Sequence, residues 1–496
     1  MEKGSPALLT DLYEITMAYA FWKEGMAGRK AAFHLFFRKN PFAGGYAVAC
    51  GLETALDFVS EFRFAPDDLE YLATLKGDDG RRLLGGDFLE ALGSLALDVD
   101  IDAVPEGTVV FPHEPVLRVT GPIPAAQLLE SALINILNFQ SLVATKTARV
   151  CAAARGDPVL EFGLRRAQGF DGALSASRAA YVGGAAATSN TLAGKLLGIP
   201  VAGTHAHSWV LAFDSELEAF EAFVRRLPHD AVLLVDTYGT MEGIENAIRA
   251  GRGLRDMGGE LRGVRIDSGD LAVLSKAARK RLDEAGFPAT KVYASNELDE
   301  TVIESLKSQG AAIAVWGVGT KLVTAHGQPG LGTVYKLTAV SDPARPGAWL
   351  SKLKLSEQVL KVNNPGIQQV RRFREGGEFA GDMIYEAGLG AGMEDARGGP
   401  RWVLRDPFDP AVRTTIPTSA AHEDLLTPAL RGGRRVRPAP PLAESRERAR
   451  TQLAGFSEGV RRLANPHVYP VGLESRLYGL REELMLGARA AVGRGR

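Results

Sequence analysis

Residues 201–210 read Val201-Ala202-Gly203-Thr204-His205-Ala206-His207-Ser208-Trp209-Val210, and how this stretch begins and ends decides the fold. Small apolar residues lead in, as at the end of a buried parallel strand. Gly203 and Thr204 let the chain leave the sheet, and Ser208 is a candidate cap for the helix that follows. Between them stand two histidines, two residues apart, where a neutral imidazole can act as nucleophile, base or metal ligand. Three readings are open. His205 and His207 can be a metal-ligand pair, one of them can be a transiently phosphorylated histidine, or both can simply pack in a loop. A closed metal site wants three or four ligands. Of the other six histidines only His229 and His326 lie near the strand–helix repeat around this stretch, and neither sits in a recognisable ligand motif.

Outward from this stretch the pattern repeats. Short apolar runs begin near 159, 201, 231, 262, 291 and 312, with helical stretches between them. Strand alternating with helix means parallel strands with crossovers. The runs end in Glu161-Phe162-Gly163-Leu164-Arg165-Arg166, Gly203-Thr204-His205-Ala206-His207, Asp236-Thr237-Tyr238, Arg265-Ile266-Asp267-Ser268-Gly269-Asp270, Ser295-Asn296-Glu297 and Gly317-Val318-Gly319-Thr320-Lys321. In a (β/α) barrel the carboxyl ends of the strands converge on one mouth. The expected fold is therefore α/β, an irregular barrel over 156–325. A smaller mixed α/β domain would be built from the N-terminal region, 1–155, and strands returning in 326–496. Helices are expected over 11–24, 51–62 and 125–154, and a solvated linker at Arg431-Gly432-Gly433-Arg434-Arg435.

The whole chain adds bounds. It has 496 residues, 45% hydrophobic and 24% charged, with a formal net charge of -1. That balance gives no reason to expect a nucleic-acid or membrane partner. Cys50 and Cys151 are too few for a disulfide framework, and the N-terminus lacks an apolar signal core, so the cytoplasm is the expected compartment. At the mouth, Gly317-Val318-Gly319-Thr320 can offer backbone N–H groups to a phosphate. Arg165 and Arg166 can grip phosphate or carboxylate. Asp236, Asp267 and Asp270 can orient a histidine or hold a magnesium–phosphate group. No P-loop is present. The inventory favours phosphoryl or phosphoribosyl chemistry over redox chemistry.

Leu9-Thr10-Asp11-Leu12-Tyr13, the 161–169 run, Gly203–Ser208, Val264–Asp270, Gly319-Thr320 and Asn465-Pro466-His467-Val468-Tyr469-Pro470-Val471-Gly472-Leu473 resemble, in order and spacing, nicotinate phosphoribosyltransferase. The resemblance spans about residues 8 to 485. It implies a homodimer with active sites at the subunit interface. The implied reaction joins nicotinate to phosphoribosyl pyrophosphate, giving nicotinate mononucleotide and pyrophosphate, with ATP hydrolysis coupled through a phosphohistidine and Mg²⁺ as cofactor. By motif match the phosphohistidine is His207. Tyr13 of the neighbouring subunit and Phe162 would sandwich the pyridine ring. Arg265 and Thr204 would hold the carboxylate. Arg165, Asp236 and Asp267 would face pyrophosphate and ribose, Ser295 and Asn296 the ribose hydroxyls, and Gly319 and Thr320 the 5′-phosphate. Arg38 resembles a residue reaching a phosphate across the dimer. Asn190 stands where nicotinamide-using relatives carry Asp, so it would favour nicotinate; capping the following helix is its other reading. Two positions depart from the family pattern: His205, and Gln368 where Lys is expected. Alternatives to this function are a nicotinamide or quinolinate phosphoribosyltransferase, and a metal-dependent hydrolase built on His205-Ala206-His207.

Overall fold

A computed structural model describes residues 6–356, 358, 362–396 and 399–493. It divides into two compact units, Val143–Pro329 and the pair of segments Met1–Leu142 and Gly330–Arg496. The barrel unit is thus the smaller by residue count. Against the sequence reading, the boundaries shift and the return of the last segment holds. The first boundary falls inside a continuous helix, Glu130–Ala154, where no break in pattern can mark it. The last segment returns to the N-terminal region as expected, with Val334–Ser341 pairing antiparallel with Lys30–Phe36. The apolar stretch Ile123–Ala154 is long and apolar enough to cross a membrane. However, 61% of its apolar window is buried inside the protein, as expected of a core helix. Instead of one helix from 125, it holds two, Ile123–Gln127 and Glu130–Ala154.

In the barrel unit six short strands form one parallel sheet. Their order is Ala187–Thr188, Val159–Glu161, Val315–Val318, Lys291–Ala294, Gly263–Ile266 and Val232–Leu234. Val159, Val264, Val292 and Val318 are buried, as strands covered by crossover helices require. Residue 201 does not start a full strand; Val201 makes a single parallel bridge to Thr188. The strand at Ala187–Thr188 is absent from the sequence reading because Gly183-Gly184-Ala185-Ala186 before it reads as loop. The sheet curls but does not close by backbone pairing, since Val232–Leu234 is its last strand. The gap is spanned by a side chain: Leu234 N–H donates to His205 Nε2 at 3.1 Å.

The other unit holds two seven-stranded sheets. In the first, Lys30–Phe36 lies between Val334–Ser341 and Leu117–Pro122, all antiparallel. Phe33 stacks on Tyr335 with ring centroids 4.7 Å apart. At one end of this sheet the expected linker is a hairpin instead. Gly432 and Gly433 have φ of 54° and 72°, the left-handed pair that a tight two-residue turn demands. Arg431 pairs with Asp102 at 2.6 Å, and Arg435 with Glu53 and Asp57. These acids are hundreds of residues away, so local composition could not reveal them. The second sheet packs Phe373, Met383, Trp402, Leu404 and Ile416 into a core. Beneath it, Arg372 and Asp382 form a fully buried ion pair, with the cation about 5 Å from the rings of Phe379 and Phe456.

Candidate active site

Every strand of the barrel unit ends at the same mouth. Two adjoining clefts open there, of about 130 and 290 Å³. Phe162, Arg165, Arg265 and Asp267 line both. Ser295, Asn296, Gly319 and Thr320 line the first. Thr204, His205 and His207 line the second.

Arg265 is the hub. Its Nε donates to Ser295 Oγ at 2.7 Å, Nη1 to Thr204 Oγ1 at 2.8 Å and Nη2 to Asp267 Oδ1 at 3.0 Å. Two strand ends and the loop after Val201 thus fix one guanidinium, which also lies 5.7 Å from the Phe162 ring centroid. A guanidinium has five N–H donors, so two remain for a ligand. Asp267 also accepts from Ser295 Oγ. The Phe162 ring needs a bare backbone opposite it: a Cβ on Gly317 would meet Phe162 Cδ2 at 2.7 Å. Asn296 holds a φ of 112°, a conformation that costs a non-glycine residue energy and clusters at ligand sites.

His207 begins the helix His207–Leu211 and is half exposed. Its Nδ1 meets Thr237 Oγ1 at 3.1 Å, and its Nε2 lies 4.0 Å from Asp236 Oδ1. Asp236 Oδ2 accepts from Asp267 N–H and Ser268 Oγ–H. Oδ1 is buried with no hydrogen-bond partner. A carboxylate oxygen left bare in this way invites a cation. His205 is the opposite of His207: buried, with its pKa lowered to about 4 by burial, then by Arg265 and His207. The Nε2 of His205 is taken by the Leu234 N–H, and no cluster of three or more His, Cys, Asp or Glu suited to a metal occurs among the described residues.

Asn190 takes up the capping role that was one of its two readings. It is buried, its Oδ1 accepts from Ala193 N–H as the cap of helix Thr191–Leu197, and its Nδ2 donates to Ser177 Oγ. Ser189, not Asn190, lines the cleft. Behind them Glu161 accepts from Ser177, Thr188 and the Gly163 N–H, which pins the loop carrying Phe162. The sequence reading missed the parts played by Thr237, Ser268 and Glu161, although all three lie in or beside runs it singled out.

In the other unit, Tyr13 is partly exposed on helix Leu12–Lys23. Its phenol is pushed up to about 12 by partial burial and by Glu130, Glu14 and Asp11. Arg38 is held below its usual pKa by burial, and its Nε has no partner. Gln368 is buried, with Nε2 donating to Asn364 O at 2.7 Å, so it faces inward rather than a phosphate.

Comparison with known proteins agrees with this geometry. Residues 8–138 match the nicotinate phosphoribosyltransferase (NAPRTase) N-terminal domain, and 367–481 match its C-terminal domain. The nicotinate phosphoribosyltransferase of Bacillus subtilis is 41% identical over 470 residues, covering 95% of this chain and 93% of that protein. The human enzyme of that name is 35% identical, covering 97% of each. The crystal structure of human nicotinic acid phosphoribosyltransferase aligns with a TM-score of 0.82 at 32% identity, covering 96% of this chain and 99% of that one. The nicotinate-nucleotide pyrophosphorylase of Pyrococcus furiosus, 22% identical with a TM-score of 0.66, shares the fold. The chain belongs to the nicotinate phosphoribosyltransferase family.

Proposed function

We propose that this enzyme joins nicotinate to phosphoribosyl pyrophosphate, giving nicotinate mononucleotide and pyrophosphate, and couples the reaction to ATP hydrolysis through phosphorylation of His207. The observation that carries the reading is the triply anchored Arg265 beside Phe162, with His207 and the bare Asp236 oxygen at the same mouth. Nicotinate is planar and anionic. Phe162 offers a ring face, and Arg265 with Thr204 meets the carboxylate. The pyridine nitrogen attacks C1 of the ribose as the C1–O bond to pyrophosphate breaks. Positive charge builds on the sugar and negative charge on the leaving group, so donors fixed in advance lower the barrier. Arg165 and Arg166 supply charge to the leaving group, Ser295 and Asn296 meet the ribose, and Gly319 and Thr320 meet the 5′-phosphate. Phosphorylation moves the γ-phosphoryl of ATP onto an imidazole nitrogen of His207 and releases ADP. Later hydrolysis of that bond aids pyrophosphate release.

The donor set fits Mg²⁺, which takes one or two carboxylates and otherwise water and substrate phosphates. Asp236, through its unpartnered Oδ1, and Asp267 would hold it. When bound it would neutralise charge on pyrophosphate. Tyr13 and Arg38 would reach a partner subunit's site in a homodimer. Two cysteines in 496 residues, too few for a disulfide framework, fit a reducing compartment, the cytoplasm.

The test incubates the full chain with nicotinate and phosphoribosyl pyrophosphate, with and without ATP labelled at the γ-phosphate. Nicotinate mononucleotide should form, and more completely with ATP. Acid-labile, base-stable label should appear on the wild type and be lost in His207→Ala. Equal labelling of both would sink the assignment of His207.

A further inference from the structure

The open side of the barrel lies between Val201, bridged to Thr188, and the last strand, Val232–Leu234. Along that strand Val235 N–H donates to Arg265 O in the neighbouring strand. The Leu234 N–H therefore faces the other way, where no strand lies among the described residues. A buried N–H left without an acceptor is costly. We propose that His205 is a positioning residue that closes this seam and sets Thr204 and His207 at the correct place in the mouth.

Its tautomer follows from its partners. Leu234 N–H can only donate, so Nε2 is the bare nitrogen and Nδ1 carries the proton. Nδ1 donates to Ala206 O at 3.2 Å. Ala206 O also accepts from Trp209 N–H, at the start of the helix that carries His207. One neutral ring thus ties the last barrel strand to the first turn of that helix. On its other side the His205 carbonyl accepts from Thr204 Oγ1, the same hydroxyl that accepts from Arg265. Phe223 packs edge-on at 4.8 Å and Phe220 lies at 6.0 Å. This cage keeps the ring dry and neutral, consistent with its lowered pKa.

The catalytic part of this inference rests on the reading of Thr204 and His207 given above; the seam itself does not. Two variants of the full chain separate the roles. His205→Phe fills the aromatic cage but removes the acceptor. His205→Gln restores an acceptor where Nε2 lies. Hydrogen exchange should show the Leu234 amide protected in the wild type, exchanging faster in His205→Phe, and protected again in His205→Gln. In His205→Phe, KM for nicotinate should rise about three- to tenfold and labelling of His207 should slow by a similar factor, both recovering in His205→Gln, as expected for one hydrogen bond. A merely structural role would lower the thermal midpoint and leave KM and labelling per folded molecule unchanged, which overturns the positioning role. An unprotected Leu234 amide in the wild type overturns the seam whether or not His205→Phe folds. A wild type that neither uses nicotinate nor takes label defeats the proposed function instead, and leaves the exchange result standing.

Discussion

Arg265→Ala should cost the enzyme its preference for nicotinate over nicotinamide. Three of the five guanidinium N–H groups are already spent on Ser295, Thr204 and Asp267, which holds the other two in one plane beside Phe162. A charge-assisted contact from such a donor to a carboxylate is worth about 1.5–3 kcal/mol. At about 1.4 kcal/mol per factor of ten, that is about 10- to 150-fold in kcat/KM for nicotinate. The upper end is expected, because the change also strips Asp267 of the cation 3.0 Å away and leaves a negative charge facing the substrate carboxylate. Nicotinamide carries no charge and loses at most an ordinary hydrogen bond, about 2- to 10-fold. The ratio of the two kcat/KM values should therefore fall about tenfold or more. Arg265→Lys keeps the charge but cannot bridge Ser295, Thr204 and Asp267 at once, so it should fall between. The assay is steady-state kinetics with both substrates, alongside thermal unfolding to verify that each variant is folded. An unchanged ratio in a folded Arg265→Ala variant would refute the assignment of the carboxylate to Arg265.

Mixing Tyr13→Ala chains with His207→Ala chains should regenerate activity, because a shared site leaves one of two centres whole; no recovery after verified subunit exchange would count against sharing. Asp382→Asn combined with Glu114→Gln, which neutralises both buried carboxyls beside Arg372, should destabilise the protein by about 3–5 kcal/mol in denaturant unfolding, because Arg372 then stays fully buried without a counter-charge; a loss below about 1 kcal/mol would show that the cation is not buried as described. His113 is held to about 4 by burial, then by Arg38 and Arg481, below its unfolded value of about 6.5. Between those values the unfolded chain binds more protons, so its contribution is whole above about pH 6.5 and is lost as pH falls toward 4, by about 3 kcal/mol at most. His113→Asn, which suits the positive φ of 68° at this position, should flatten that part of the stability curve; an unchanged slope would refute the cause.

The sequence disclosed the barrel mouth because chemistry sits where apolar runs stop, and that is a local pattern. Arg265, Asp267, Ser295 and Gly319 are legible for this reason. What it hid depends on distant contacts. His205 looked spare because its partner, Leu234, is 29 residues away. Asn190 carries two readings in the sequence, and the bond of its nitrogen to Ser177, 13 residues back, is not legible there. Arg431 and Arg435 read as a solvated linker because their acids come from the other end of the chain. The unit boundary near 142 was invisible because a helix runs through it without interruption.

The strand Lys30–Phe36 needs two neighbours, and the chain delivers them at very different times. Leu117–Pro122 arrives early, whereas Val334–Ser341 is made roughly 300 residues after Phe36. At ribosomal speeds of about 5–20 residues per second, that interval lasts on the order of 15–60 s. Through it, one edge of an apolar strand (Ala31-Ala32-Phe33-His34-Leu35-Phe36) stays open to other chains. The whole of Val143–Pro329 leaves the ribosome before the missing partner does. In a cell, then, the vulnerable moment of this enzyme falls during synthesis, when the barrel can already be folded and its first strand still lacks a mate.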